Sequence, residues 1–121
     1  MQSKLIEQIK TDFKEFNKKV LAILIYGSQI SGKSTQRSDI DICIVSGSIK
    51  RAKEIYKETL SIQSKNPEYD IHIFELLPLY LKNEIIDNYE IIFTKSSPEL
   101  SYYFYFYRKL WQDQAINRIN L

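Results

Sequence analysis

The sequence predicts an α/β (α+β) domain, a mixed sheet of about four strands with flanking helices. Two patterns carry that expectation. Short apolar, β-branched runs recur along the chain, and stretches with helical spacing separate them, with Gly, Pro and Ser marking the joins. A third observation is size: 121 residues with 44% hydrophobic content suffice for one core and fall short of two ordinary domains. The span 1–121 is therefore read as one domain.

Leu5, Ile6, Ile9, Phe13 and Phe16 recur at helical spacing with Lys and Glu between them, predicting an amphipathic helix that ends before Val20. The run from Leu21 to Tyr26 is short, apolar and stopped by Gly27, as a buried strand would be. From Asp39 to Val45 the residues alternate. Ile40, Ile42 and Ile44 form one face, which belongs in the core, and Asp39, Asp41, Cys43 and Val45 form the other. After a Ser46-Gly47-Ser48 turn, Ile49, Ala52, Tyr56 and Leu60 predict the buried stripe of a second helix, with Lys50, Arg51, Lys53 and Lys57 outside.

Beyond the Asn66-Pro67 turn, Tyr69 to Glu75 alternates again, so Asp70 and His72 face away from Ile71 and Ile73. His72 and Glu75 receive no role, a lone His being more often a packing residue and Glu75 reading as a surface charge at the strand end. Pro78 suits the first turn of a short helix through Ile86, and Glu90 to Thr94 forms a fourth strand. Ser97 as cap and Pro98 as first helical residue open a last helix toward Ile119. On it Leu100, Phe104, Tyr107, Trp111 and Ile119 make one packing stripe, while Tyr102, Tyr103, Tyr105 and Phe106 point elsewhere. That surplus marks the helix, about 98–119, as an interface element for a protein partner or a homodimer. Stacking on nucleic-acid bases, with Arg108 and Lys109 nearby, is the lesser reading.

Composition removes several function classes. A formal charge of +2, from 17 Lys and Arg against 15 Asp and Glu, supplies no global pull toward nucleic acid. The single Cys43 excludes an intrachain disulfide and a thiolate zinc cluster. No apolar stretch reaches the roughly 20 residues of a membrane span, and no signal-peptide core opens the chain, so a cytoplasmic setting is expected.

Gly27 to Ser34 satisfies G-x-x-x-x-G-K-[ST] after a strand, the context of a phosphate-binding P-loop. That reading is the weaker one. A P-loop Lys-Ser opens a helix of several turns, and only a few residues separate Ser34 from the strand at Asp39. A longer pattern covers the same segment: Gly27-Ser28, a turn-like stretch with Gly32, then Ser38-Asp39-Ile40-Asp41 opening an apolar strand. Strand residues two apart project from one face roughly 6.5 Å apart, and adjacent strands lie about 4.8 Å away. Asp39, Asp41 and Asp70 can therefore converge if register permits. Clustered carboxylates repel unless a cation compensates, and hard oxygen ligands suit Mg2+ or Mn2+, two ions fitting phosphoryl chemistry. Gly27, Ser28 and Ser38 would hold a triphosphate, with Lys33 and Arg37 neutralising the departing pyrophosphate.

The Gly27-Ser28 and Asp39-Ile40-Asp41 pattern resembles the DNA polymerase β-type nucleotidyltransferase superfamily, in which a third Asp arrives on a later strand; Asp70 matches that position. The small size resembles the minimal nucleotidyltransferases that serve as antitoxins to HEPN-type ribonucleases. That resemblance implies a palm-like domain, metal-dependent catalysis and transfer of AMP from ATP to a tyrosine of the toxin. It also leaves open a module that neutralises its partner by contact alone. Transfer to a small molecule is disfavoured, since nothing resembles a substrate-recognition domain.

Overall fold

The computed structural model describes residues 3–27 and 39–119, with side chains as far as Gln114. Among the described residues, four strands form one sheet in the order β3-β2-β1-β4: β1 (Ala22–Tyr26), β2 (Ile40–Val45), β3 (Tyr69–Ile73) and β4 (Tyr89–Thr94). β1 pairs antiparallel with β2 and β4, and β2 pairs parallel with β3, so the sheet is mixed. Helices α1 (Ser3–Asp12), α2 (Ile49–Lys65), α3 (Leu79–Asp87) and α4 (Ser97–Ile119) cover it on both faces.

Strand alternation divides the core. Ile23, Ile25, Ile42, Ile44, Ile71 and Ile73 face α1 and α2, meeting Ile9, Phe13, Ala52 and Ile55. Ala22, Leu24, Cys43 and Val45 face α3 and α4, meeting Ile85, Leu100, Phe104 and Tyr107. The expected Ile face is thus buried, and the carboxylates of β2 and β3 open on the face shared with α4.

Local chemistry moves several boundaries. The first helix stops at Asp12, and a 3-10 turn over Lys14–Phe16 follows Phe13, whose backbone (φ −107°, ψ 9°) bends so that Phe13 and Phe16 both stay in the core. On α2 the buried stripe is Ala52, Ile55 and Thr59, while Ile49, Tyr56 and Leu60 are exposed, contrary to the expected stripe. The small Ala52 and Thr59 let the helix approach the sheet, and the Thr59 hydroxyl is satisfied by the Tyr56 carbonyl at 2.6 Å. Ser96, one residue before the expected Ser97, caps α4 by accepting the Glu99 amide at 3.2 Å, in an S-x-x-E arrangement. Pro78 stands just before α3, its carbonyl accepting the amides of Leu81 and Lys82.

Glu75 is the largest correction. It is 7% exposed, and β3 gives way at Phe74 to a 3-10 turn that sends its carboxylate inward. There it accepts the amides of Ser46 (3.0 Å) and Gly47 (2.9 Å) and the Tyr103 hydroxyl (2.6 Å). A buried carboxylate with three donors is satisfied, and it ties the turn after β2 to α4.

Candidate active site

Parallel register sets Asp41 directly beside Asp70, because Ile40 pairs with Tyr69 and Ile42 with Ile71 on either side. Both carboxylates therefore project from the same face at one end of the sheet, near the end of β1. Their proximity is felt electrostatically. Burial raises the Asp41 carboxyl above its ordinary value, and the Asp70 charge and hydrogen bond and the Asp39 charge add to the rise, with His72 opposing it.

Gly27 closes the site from β1. Its φ is +78°, a region that side-chain-bearing residues rarely occupy, and a Cβ there would run into the Asp41 carboxylate. The glycine expected to admit phosphate thus also makes room for a carboxylate. Tyr26, paired with Asp41 across β1 and β2, borders the same space. Its phenol is held well above its ordinary value, first by burial and then by Cys43, Asp41 and Asp70, so it stays protonated.

His72, given no role by the sequence, joins the site: its Nε2 lies 3.1 Å from Asp70 Oδ1, and its ring meets the edge of the Tyr26 ring at 6.5 Å between centroids. The Asp70-Ile71-His72 alternation signalled the shared face; only cross-strand register could signal Tyr26. Asp39 stands one residue before β2, exposed, and acts on Asp41 through its charge. Ser28, Lys33, Arg37 and Ser38 lie outside the described residues. Among the described residues, no three His, Cys, Asp or Glu side chains form a ready-made ligand set. The formed part is the Asp41 and Asp70 pair, whose hard oxygens and mutual repulsion suit a divalent cation.

The family model for polymerase beta nucleotidyltransferases matches residues 7–98, which include every carboxylate of the site. The chain belongs to that nucleotidyltransferase family. This nucleotidyltransferase is 47% identical over 95 residues to a Methanocaldococcus jannaschii protein named "putative protein adenylyltransferase", across 78% of its own chain and 72% of that protein. It superposes with a TM-score of 0.75 and 14% identity on a chain of a toxin-antitoxin structure with AMP-PNP, covering 95% of this chain and 93% of that one. A structure of a tri-AMPylated Shewanella oneidensis HEPN toxin with an MNT antitoxin gives a TM-score of 0.72 at 13% identity, covering 99% and 94%. At these identities the structural likeness shows the fold. Family membership excludes the P-loop reading of Gly27 to Ser34, and the antiparallel β1 and β2 agree, since a P-loop strand sits in a parallel sheet. Divalent metals serve this family generally. Among the described residues, no helix is long and apolar enough to cross a membrane.

Proposed function

We propose that this nucleotidyltransferase moves AMP from ATP to a tyrosine hydroxyl of a HEPN-type toxin and so acts as its antitoxin in the cytoplasm. The observation that carries the reading is the register of Asp41 against Asp70 with Gly27 packed against Asp41. The curated relative's name and the toxin-antitoxin neighbours support the acceptor and the nucleotide.

In the transfer, the acceptor oxygen bonds the α-phosphorus as the bond to pyrophosphate breaks, and the hydroxyl proton passes to Asp70. His72 orients Asp70 through its 3.1 Å contact, and Tyr26 walls the site while keeping its own proton. Gly27 lets the phosphates approach the backbone, and Ser28 and Ser38 offer hydroxyls. Lys33 and Arg37 take up charge developing on pyrophosphate. Asp41 and Asp70, with Asp39 two positions upstream, would hold two Mg2+ ions, or Mn2+ in their place. Bound there, the cations offset the carboxylate repulsion and supply Lewis acidity at the α-phosphate.

The test is intact mass measurement of a co-expressed HEPN partner after incubation with the protein, ATP and magnesium. A gain of one or more AMP groups is expected, and Asp70→Asn should slow it by about 100-fold or more. A partner neutralised without any mass gain would establish the contact-only reading, which the exposed Tyr102, Tyr105 and Phe106 of α4 favour. Undiminished transfer by Asp70→Asn would remove Asp70 from the chemistry.

A further inference from the structure

At the end of the sheet opposite the carboxylates, a cleft of about 350 Å³ opens between the start of α2 and the start of α4. Ser46 at its floor lies five steps along the chain from Asp41, with four residues of β2 between them, roughly 16 Å at about 3.3 Å per residue. Its size is within the range of small-molecule sites, about 300 to 1,000 Å³. Val20, Leu21 and the Ser46-Gly47 turn form the floor, and Lys19, Arg51, Lys95, Glu99, Tyr102 and Tyr103 form the walls.

The charge of that lining is one-sided: three cations face one carboxylate. Lys19 is engaged by Glu58 at 3.0 Å, whereas Arg51 and Lys95 have no ion-pair partner among the described residues. The floor amides are not available to a ligand, because Ser46 and Gly47 donate theirs to Glu75. Tyr103 is likewise committed to Glu75. Donors for an anion must therefore come from Arg51 and Lys95, with Lys19 in reserve. Tyr102 stands at the rim with 78% of its surface exposed, an aromatic face with nothing packed over it to explain its position. Two unpaired cations beside an open ring, around a volume of this size, match a phosphate attached to a planar base.

We propose that this cleft is a second ligand site, separate from the transfer site, that takes a mononucleotide. The phosphate lies between Arg51 and Lys95, and the base stacks on Tyr102 with Glu99 placed to accept from an exocyclic amine. No part of this depends on the identity of the acceptor protein.

Calorimetric titration of the full chain with AMP, adenosine, inorganic phosphate and a short single-stranded RNA tests the assignment, with EDTA present to silence metal-dependent binding elsewhere. AMP should bind, Arg51→Gln with Lys95→Gln should weaken it at least tenfold, and Tyr102→Ala should weaken AMP while leaving phosphate unchanged. Asp41→Asn should leave AMP binding intact. All four positions are at least partly exposed, and each variant is to be checked for native folding by circular dichroism. Four results overturn the proposal: AMP binding that survives loss of both cations, AMP binding lost in Asp41→Asn, phosphate binding as tightly as AMP, or RNA outcompeting AMP with a steep salt dependence.

Discussion

Gly27 is held by two constraints at once, a φ of +78° and the Asp41 carboxylate occupying the place of a Cβ. Gly27→Ala must then displace Asp41 as well as strain the backbone by about 1–2 kcal/mol. Nucleotide transfer by that variant should fall by more than about tenfold while its circular dichroism stays native, a pairing of readouts that separates a displaced carboxylate from an unfolded chain. Asp41 supports a prediction about pH. Its folded-state carboxyl is raised, so the fold disfavours the ionised form. The contribution of Asp41 to the stability of the metal-free protein is therefore fully present below the ordinary carboxylate range and is lost as pH rises through the raised value. Asp41→Asn cannot ionise and escapes that fall. At neutral pH, without metal, its Tm should exceed that of the parent by a few degrees at most, because the side chain is half-exposed and solvent screens the repulsion. Added magnesium should narrow or reverse the difference in a thermal melt. At this scale the sequence was legible where motif and alternation coincide, as at Gly27, Asp41 and Asp70. Tyr26 was illegible because its neighbours are set by pairing between strands, which no local pattern encodes.

The Glu75 clasp shows how an element's neighbours decide a residue's role. Local alternation left it at a strand end, but the chain turns at Phe74, and the carboxylate meets two amides and a phenol from distant segments. Glu75→Ala would leave the Ser46 amide unpaired in a buried place and the Gly47 amide and Tyr103 hydroxyl unpaired in part-buried ones, each unmade bond costing up to about 1–3 kcal/mol. A loss of about 3 kcal/mol or more in urea unfolding is expected, with Glu75→Gln intermediate because one acceptor oxygen remains. On α2, the same periodicity allowed two stripes sharing Ala52, and only packing against the sheet chose Ile55 and Thr59 over Tyr56 and Leu60. α4 was the more legible helix, since Leu100, Phe104 and Tyr107 are buried as expected. Tyr102, Tyr105 and Phe106 remain 78%, 61% and 57% exposed, whereas Tyr103, expected to face away, is held by Glu75. Replacing Tyr105 and Phe106 by Ser should leave Tm within a few degrees of the parent and weaken a pull-down of the HEPN partner at least tenfold.

Over the whole molecule, β4 runs antiparallel to β1, from Tyr89 beside Tyr26 to Thr94 beside Ala22. α4 then turns back over the sheet, where Phe104 packs on Tyr89 and Arg108 reaches Asp87 at 2.5 Å. The exposed aromatic ridge thus extends from the basic cleft toward the end that carries the carboxylates, so a protein seated on α4 has a path to the transfer site. Strand number, helix order and the carboxylate face could be read from alternation and turn residues, because each depends on local spacing. Strand order could not, because bringing β3 beside β2 and β4 beside β1 is a property of the assembled layers. The proposed function rests on Asp41 and Asp70 as the groups that support adenylyl transfer to a partner. The direct measurement uses ATP radiolabelled on its α-phosphate, magnesium and the HEPN partner, with the parent protein, Asp41→Asn and Asp70→Asn compared side by side. Label should enter the partner with the parent and fall by about 100-fold or more with either variant, while all three still bind the partner. Equal labelling by the variants, or a partner modified without gaining the α-phosphate label, would contradict it.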